Sequence, residues 1–308
     1  MAKPTPGVES IASFVQRLGV LLAAGVSPAS GWGYLAENAT GPEATRVRAV
    51  ADAVAAGSTI ADAVLAAAHT AGRNDPVWRG IAAAWQVATD AGAPLAPTLA
   101  ELATSLRSLA QNQEDLRTAL AGPIATARMV VILPIVGVVF GLALGFDSLR
   151  VLFTTPLGLA CLGLGVGLML ASRWWSRRLI DAARPTQLTP GLVLDLMAIA
   201  VSGGASLPRA VAAVDAARTR FGLTDDGSRE TIAEVLSLSR RAGVPAAALL
   251  RSEAVEARRA ARSSAERAAA TVAVILMLPL GLCVLPAFMC LGVAPLLIAV
   301  IASTVTGF

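Results

Sequence analysis

The residues on which zinc sites, histidine-based catalysis and phosphate loops are built are scarce in this chain. One histidine, His69, and one lysine, Lys3, stand beside three cysteines, and every other basic residue is arginine. A phosphate loop needs a lysine directly after its glycines; Lys3 precedes any possible strand, so the chain is not expected to be an ATPase. His69 follows Ala66-Ala67-Ala68 near an expected helix end, where it reads as a helix-terminal residue rather than a metal ligand or base. A Ser-His-Asp arrangement would need a serine positioned against it, and nothing singles one out. Cys161, Cys283 and Cys290 lie inside apolar runs and read as small packing residues, not disulfide partners. No catalytic residue, cofactor or metal is expected, so the candidate functional surfaces are protein surfaces.

The elements that position such surfaces follow from composition. Of 308 residues, 55% are hydrophobic and 15% charged, and the mean hydropathy is +0.66. This is too apolar for an ordinary soluble protein. The apolar residues collect in three blocks, Met129 to Phe146, Val151 to Ser172 and Thr271 to Phe308. A bilayer core needs about 20 helical residues to cross, so each of the first two blocks fits one span. The third is long for one helix and tight for two; Gly292-Val293-Ala294-Pro295 is its one candidate turn, and a hairpin there is the preferred expectation. The blocks carry no charged residue, unlike the spans of proton-coupled carriers. That counts against a transporter or permease component, which stays the main alternative because Pro134, Pro279 and Pro286 are able to break spans.

Orientation follows from arginine, since short basic loops are retained in the cytoplasm. Arg107, Arg117 and Arg128 precede the first span, Arg173, Arg177, Arg178 and Arg184 follow the second, and Arg258, Arg259, Arg262 and Arg267 lead into the last block. The stretch Arg173 to Arg267 holds 15 Arg against 10 Asp plus Glu. It is expected in the cytoplasm, with Asp147-Ser148-Leu149-Arg150 outside. No signal peptide is expected, because the run Leu18 to Ala24 is short and lacks a cleavage pattern. The net charge of +4 reads as this topological signal rather than as nucleic-acid binding. Trp174 and Trp175 beside Arg173 fit an interfacial anchor.

The soluble parts read as successive helices, with no sustained strand alternation. Asp75-Pro76 and Thr189-Pro190 each open one. After Pro94 a heptad seam runs through Leu95, Leu99, Leu102, Leu106, Leu109, Gln113, Leu116 and Leu120; with no strong breaker before Gly122-Pro123, this helix is expected to run on into the first span. The most informative pattern is a recurring junction: a helix stops at Gly, and the next starts at Ser, Thr or Pro a residue or two later. It occurs at Gly25-Val26-Ser27-Pro28, Gly57-Ser58-Thr59, Gly92-Ala93-Pro94, Gly204-Ala205-Ser206-Leu207-Pro208 and Gly243-Val244-Pro245. The junctions also recur in order. Phe14, Leu18 and Leu22 before Gly25 match Val193, Met197 and Val201 before Gly204 at an offset of 179, and Gly92 with Leu99 matches Gly243 with Leu250 at an offset of 151. The second copy therefore lacks the unit around Gly57.

Aromatics and charges near these junctions are the candidate partner contacts. Trp32 and Tyr34 follow the first junction, and Trp78 and Trp85 share one helix face, with burial in their own domain the default. Asp90 before Gly92, and Arg240-Arg241 before Gly243, mark equivalent ends of the two copies with opposite charge.

Two helical soluble regions with Ala-Gly-x-Pro and Gly-x-Ser-Pro junctions, separated by an apolar pair and closed by a proline-punctuated apolar tail with Leu285-Pro286-Ala287-Phe288, Gly292 and Pro295, resemble the type II secretion system F family. Within it, the chain is most similar to the tight-adherence (Tad or Flp) pilus assembly proteins of the TadB and TadC kind. The resemblance covers roughly Ser10 to Val305. It implies an all-α integral protein of the bacterial plasma membrane, with two homologous cytoplasmic helical-bundle domains and three or four transmembrane helices. The expected segments are a first repeat at 1–128, a helix pair at 129–172, a shorter repeat at 173–267 and a terminal segment at 268–308, one helix or a hairpin. The implied role is a platform coupling a cytoplasmic hexameric secretion ATPase to extrusion of pilin or pseudopilin subunits, alone or with a related platform protein as a homo- or hetero-oligomer.

Overall fold

The computed structural model describes residues 7–70, 75–143, 153, 155–182, 189–224, 227–295 and 297–298, and among them there is no strand. In chain order the helices are α1 (Val8–Ala23), α2 (Pro28–Glu37), α3 (Ala44–Ala55), α4 (Ile60–Ala68), α5 (Pro76–Ala91), α6 (Leu95–Ala143), α7 (Pro156–Ala182), α8 (Leu192–Ser202), α9 (Leu207–Phe221), α10 (Ser228–Ala242) and α11 (Ala246–Ile275). Beyond α11 the chain stays helical through Met277–Pro279, with wider π turns at Leu280–Val284 and Met289–Val293. The expected outer turn Asp147 to Arg150 lies outside the described residues.

The junctions between helices are built as their residue types dictate. Gly25, Gly57, Gly92, Gly204 and Gly243 all have φ between +68° and +95°, the left-handed region that residues with a Cβ disfavour. Each lets the chain reverse while an amide just beyond the helix returns to a carbonyl inside it, as Val26 N–H does to Leu21 O at 3.0 Å and Ala93 N–H to Ala88 O at 2.8 Å. On the far side, Ser27 Oγ accepts from Ser30 N–H at 3.2 Å, Thr59 Oγ1 from Asp62 N–H at 3.2 Å and Asp75 Oδ1 from Val77 N–H at 3.0 Å. Thr189-Pro190 departs from this pattern. They form a turn, and α8 starts only at Leu192 after Gly191, whose φ is +75°. The reason is tertiary: a Cβ at Gly191 would lie 2.8 Å from the Ala254 carbonyl of α11, so the helix entry is shaped by that close approach.

The structure divides into two compact units, Met1–Glu114 with Pro185–Ser263, and Asp115–Arg184 with Ser264–Phe308. The division falls inside α6 and inside α11. In the first unit, residues of both soluble stretches share a single hydrophobic core. There α2 packs on α3, α3 on α4 and α4 on α5, while α5 packs in turn on α8 and α9. Leu99, Leu102 and Leu106 of the heptad seam are buried in this core, so that part of the seam serves its own unit. The helix α6 continues through Gly122-Pro123, as the lack of a strong breaker predicts.

In the second unit, α7 packs against the helical run after α11. Gly165 of α7 meets Leu291 there so closely that a Cβ would stand 2.5 Å from Leu291 Cγ, the small-residue packing typical of helices in lipid. Ser172 Oγ donates to the Pro279 carbonyl at 3.4 Å. Among the described residues, two helices are long and apolar enough to cross a membrane, Pro156–Leu179 and Ala246–Val293. Leu157, Leu164 and Leu170 on the first, and Met277, Leu282 and Leu285 on the second, are each at least 59% exposed. A water-soluble core helix would bury such side chains.

The expected hairpin at Gly292 to Pro295 is corrected by the structure: Gly292, Val293, Ala294 and Pro295 are helical, and so are residues 297 and 298. Proline stops an α-helix because it lacks an N–H and its ring clashes with the carbonyl four residues back. Here a π turn precedes both Pro286 and Pro295, widening the backbone so that proline is accommodated without reversal.

Candidate functional site

The residues singled out by sequence occupy unlike environments. Trp32 is buried at 3% exposure, its indole Nε1 without a hydrogen-bond partner, whereas Tyr34 is 53% exposed. Of the two, Tyr34 presents its ring at the surface. Trp78 and Trp85 are buried; Trp78 Nε1 donates to Glu43 Oε2 at 3.1 Å. Asp90 is exposed and accepts from Gln86 Nε2 at 2.8 and 2.9 Å. Arg240 and Arg241 are exposed in the last turn of α10, Arg240 bonded to the Leu236 carbonyl and lining a groove between α8, α9 and α10. Among the described residues no hydrogen bond or ion pair joins Asp90 to either arginine. His69 follows the last residue of α4. No three His, Cys, Asp or Glu converge on a cation site among the described residues, and the three cysteines are unbridged.

What the fold does bring together is a seam between the two soluble stretches. At its centre the α5–α6 junction touches the α8–α9 junction: a Cβ on Gly203 would stand 2.3 Å from the Ala91 carbonyl oxygen and 2.9 Å from the Ala93 nitrogen. Beside it, Arg79 of α5 donates to the Phe221 and Gly222 carbonyls at 3.3 and 2.6 Å, satisfying the exposed C-terminus of α9. Arg220 reaches the Asp62 carboxylate at 2.5 Å and Gln86 Oε1 at 3.1 Å. The Thr59 hydroxyl, and after it Arg220, hold the Asp62 carboxyl below its usual range.

A second polar cluster lies deeper. Asp195, on the otherwise apolar α8, accepts from Arg258 of α11 at 2.7 Å and from the Ser105 hydroxyl of α6 at 3.3 Å. Both charged side chains are less than 20% exposed. Burial pushes the Asp195 carboxyl above its usual value, against the pull of the Arg258 guanidinium. Sequence reasoning passed over Gly203, Arg79 and Asp195, and read Arg258 only as part of the basic flank before the last apolar block. The one signal available was the carboxylate of Asp195 within Leu192-Val193-Leu194-Asp195-Leu196-Met197, a charge set among inward-facing residues.

Such an arrangement holds helices at fixed positions and presents surfaces. No curated protein and no solved structure matches the chain. A family model does: from Phe14 in α1 to Ala143, the last residue of α6, the chain is similar to the family described as type II secretion system (T2SS), protein F.

Proposed function

We propose that this protein is a non-catalytic platform of the type II secretion F family, embedded in a bacterial plasma membrane, that assembles a Tad-type or type IV-like pilus or a type II-like pseudopilus. The observation that carries this reading is the family match over residues 14–143, which spans the first soluble stretch and the whole of α6. The lipid-length helices with exposed leucines support it, as does a helical unit held together by a shared apolar core and ion pairs. In this reading both soluble stretches are homologous and face the cytoplasm, and more than one helix spans the bilayer. The platform receives movement from a hexameric secretion ATPase and passes it to pilin subunits leaving the membrane, in a homo-oligomer or beside a related platform protein. Affinity purification of the tagged chain from its native membrane in mild detergent, with partners identified by mass spectrometry, tests it. Recovery of a phosphate-loop ATPase together with small single-span pilin-like proteins is expected; a solute-binding protein or transport ATPase in their place overturns the reading and favours a permease component.

A further inference from the structure

The two soluble stretches differ by one element pair, and the structure shows what its loss leaves behind. Between α2 and α5 the chain from Asn38 to Asp75 forms α3 and α4, whereas α9 and α10 are joined only by Gly222 to Gly227. In the first stretch Trp32 and Leu35 of α2 and Ile81 and Trp85 of α5 are buried at 2–6% exposure, with α3 packed on α2 and α4 on α5. At the offsets of the repeat, their counterparts are Val211, Val214, Ile232 and Leu236. These four line a groove of about 360 Å³ between α8, α9 and α10, and Val211 is 40% exposed on its wall. By the repeat offsets the groove lies where α3 and α4 pack in the first stretch, with Val214 and Leu236 buried at 3 and 7% on its floor and Val211 open on its wall.

Its rim identifies what fits. In the first stretch the buried Trp78 indole pairs with Glu43, just before α3. The residue at the Trp78 position is Arg229, which lines the groove with Arg240; Asp215 is the one carboxylate among the described lining residues, and Arg218 already meets it at 3.4 Å. Arg229 is 70% exposed and meets Asp215 at 3.3 Å. An apolar floor rimmed by excess guanidinium groups is complementary to a helix with an aliphatic stripe flanked by carboxylates.

We infer that the groove between α8, α9 and α10 is a docking site for an acidic amphipathic helix of a partner protein, which seats where α3 and α4 seat in the first stretch and pairs its carboxylates with Arg229 and Arg240. A second copy of this chain is a poorer occupant, because the apolar faces of its own α3 and α4 are already buried in its core. The inference does not depend on the platform reading, since the partner is defined by this chemistry alone.

The test places a photo-reactive benzoylphenylalanine at Val211, and separately at Ile232, in the full chain in its native membrane, and maps the cross-linked peptide. The expected adduct is to a helical peptide of another protein that has an apolar stripe and at least two flanking Asp or Glu. Its yield falls at least tenfold in the double variant Arg229→Glu, Arg240→Glu, and returns when the partner's facing carboxylates are changed to arginine. Both arginines are exposed, so the reversal leaves the fold intact, checked by an unchanged melting temperature. No protein adduct, an adduct to a second copy or to lipid, a peptide without flanking carboxylates, or a yield indifferent to the reversal overturns the inference.

Discussion

Gly203 and Gly204 stand side by side yet are required for different reasons. Gly204 has φ +82°, so its need is local, whereas Gly203 has the ordinary φ of −73° and is held to glycine by the backbone of Ala91 and Ala93 across the seam. Gly204→Ala is expected to cost about 1 kcal/mol of backbone strain, and Gly203→Ala about 2 kcal/mol or more, because backbone must shift across the seam. Melting temperatures of the purified variants check the order. The Asp195–Arg258 pair makes a second residue-scale case. Folding raises the Asp195 pKa above 3.8, so the folded state holds that proton more tightly than the unfolded chain. Stability from this group is therefore greatest below the unfolded value and is lost as pH rises through the folded one. Arg258→Met removes the guanidinium that opposes the rise, so the variant loses more stability than the native chain as pH rises from the ordinary aspartate range to neutrality. At neutral pH the loss is on the order of 3 kcal/mol, since a buried carboxylate is left unpaired. Melts across that pH range decide it, and the paired variant Asp195→Leu, Arg258→Met is expected to recover most of the loss and flatten the pH dependence.

At the scale of elements, packing between α7 and the run after α11 depends on one absent side chain. Gly165→Val drives a branched side chain into Leu291 and is expected to lower the melting temperature in detergent. Leu291→Ala in the same chain restores it, with a coupling of about 1–2 kcal/mol. If the two changes add independently, this packing is not formed in the membrane. The junctions show how much of an element is legible locally. Gly92 with Pro94 and Asp75 with Pro76 announce helix ends by residue type alone, and the structure puts ends there. The entry of α8 and the tail at Gly292 to Pro295 were not legible in the same way. Gly191 is shaped by α11, and Pro295 is accommodated by a π turn, neither of which is written in the local residue types.

For the molecule as a whole, the proposed orientation places the first unit in the cytoplasm. With Cys161, Cys283 and Cys290 replaced by alanine and Arg241 by cysteine, a membrane-impermeant maleimide is expected to label inverted membrane vesicles and not intact spheroplasts. The opposite pattern would sink the orientation and with it any contact with a cytoplasmic motor. Arg241 suits the purpose because it is exposed at the end of α10. The shared core adds a further expectation: severing the chain between α6 and α8 leaves two fragments that copurify, since α5, α8 and α9 bury their apolar faces on one another.

Composition and apolar block length by themselves determined that the chain is helical and holds membrane-length segments, and the glycine junctions placed the helix ends. Those are consequences of local chemistry, namely hydrophobic transfer over a bilayer thickness and the backbone freedom of glycine. Tertiary structure alone decided that both soluble stretches share a core, that Gly203 must lack a Cβ, that Asp195 meets Arg258, and that α8, α9 and α10 enclose a groove lined by apolar side chains, Asp215 and three arginines. Each of these joins residues far apart in the chain, and nothing in either residue's neighbourhood records the partner that folding brings to it.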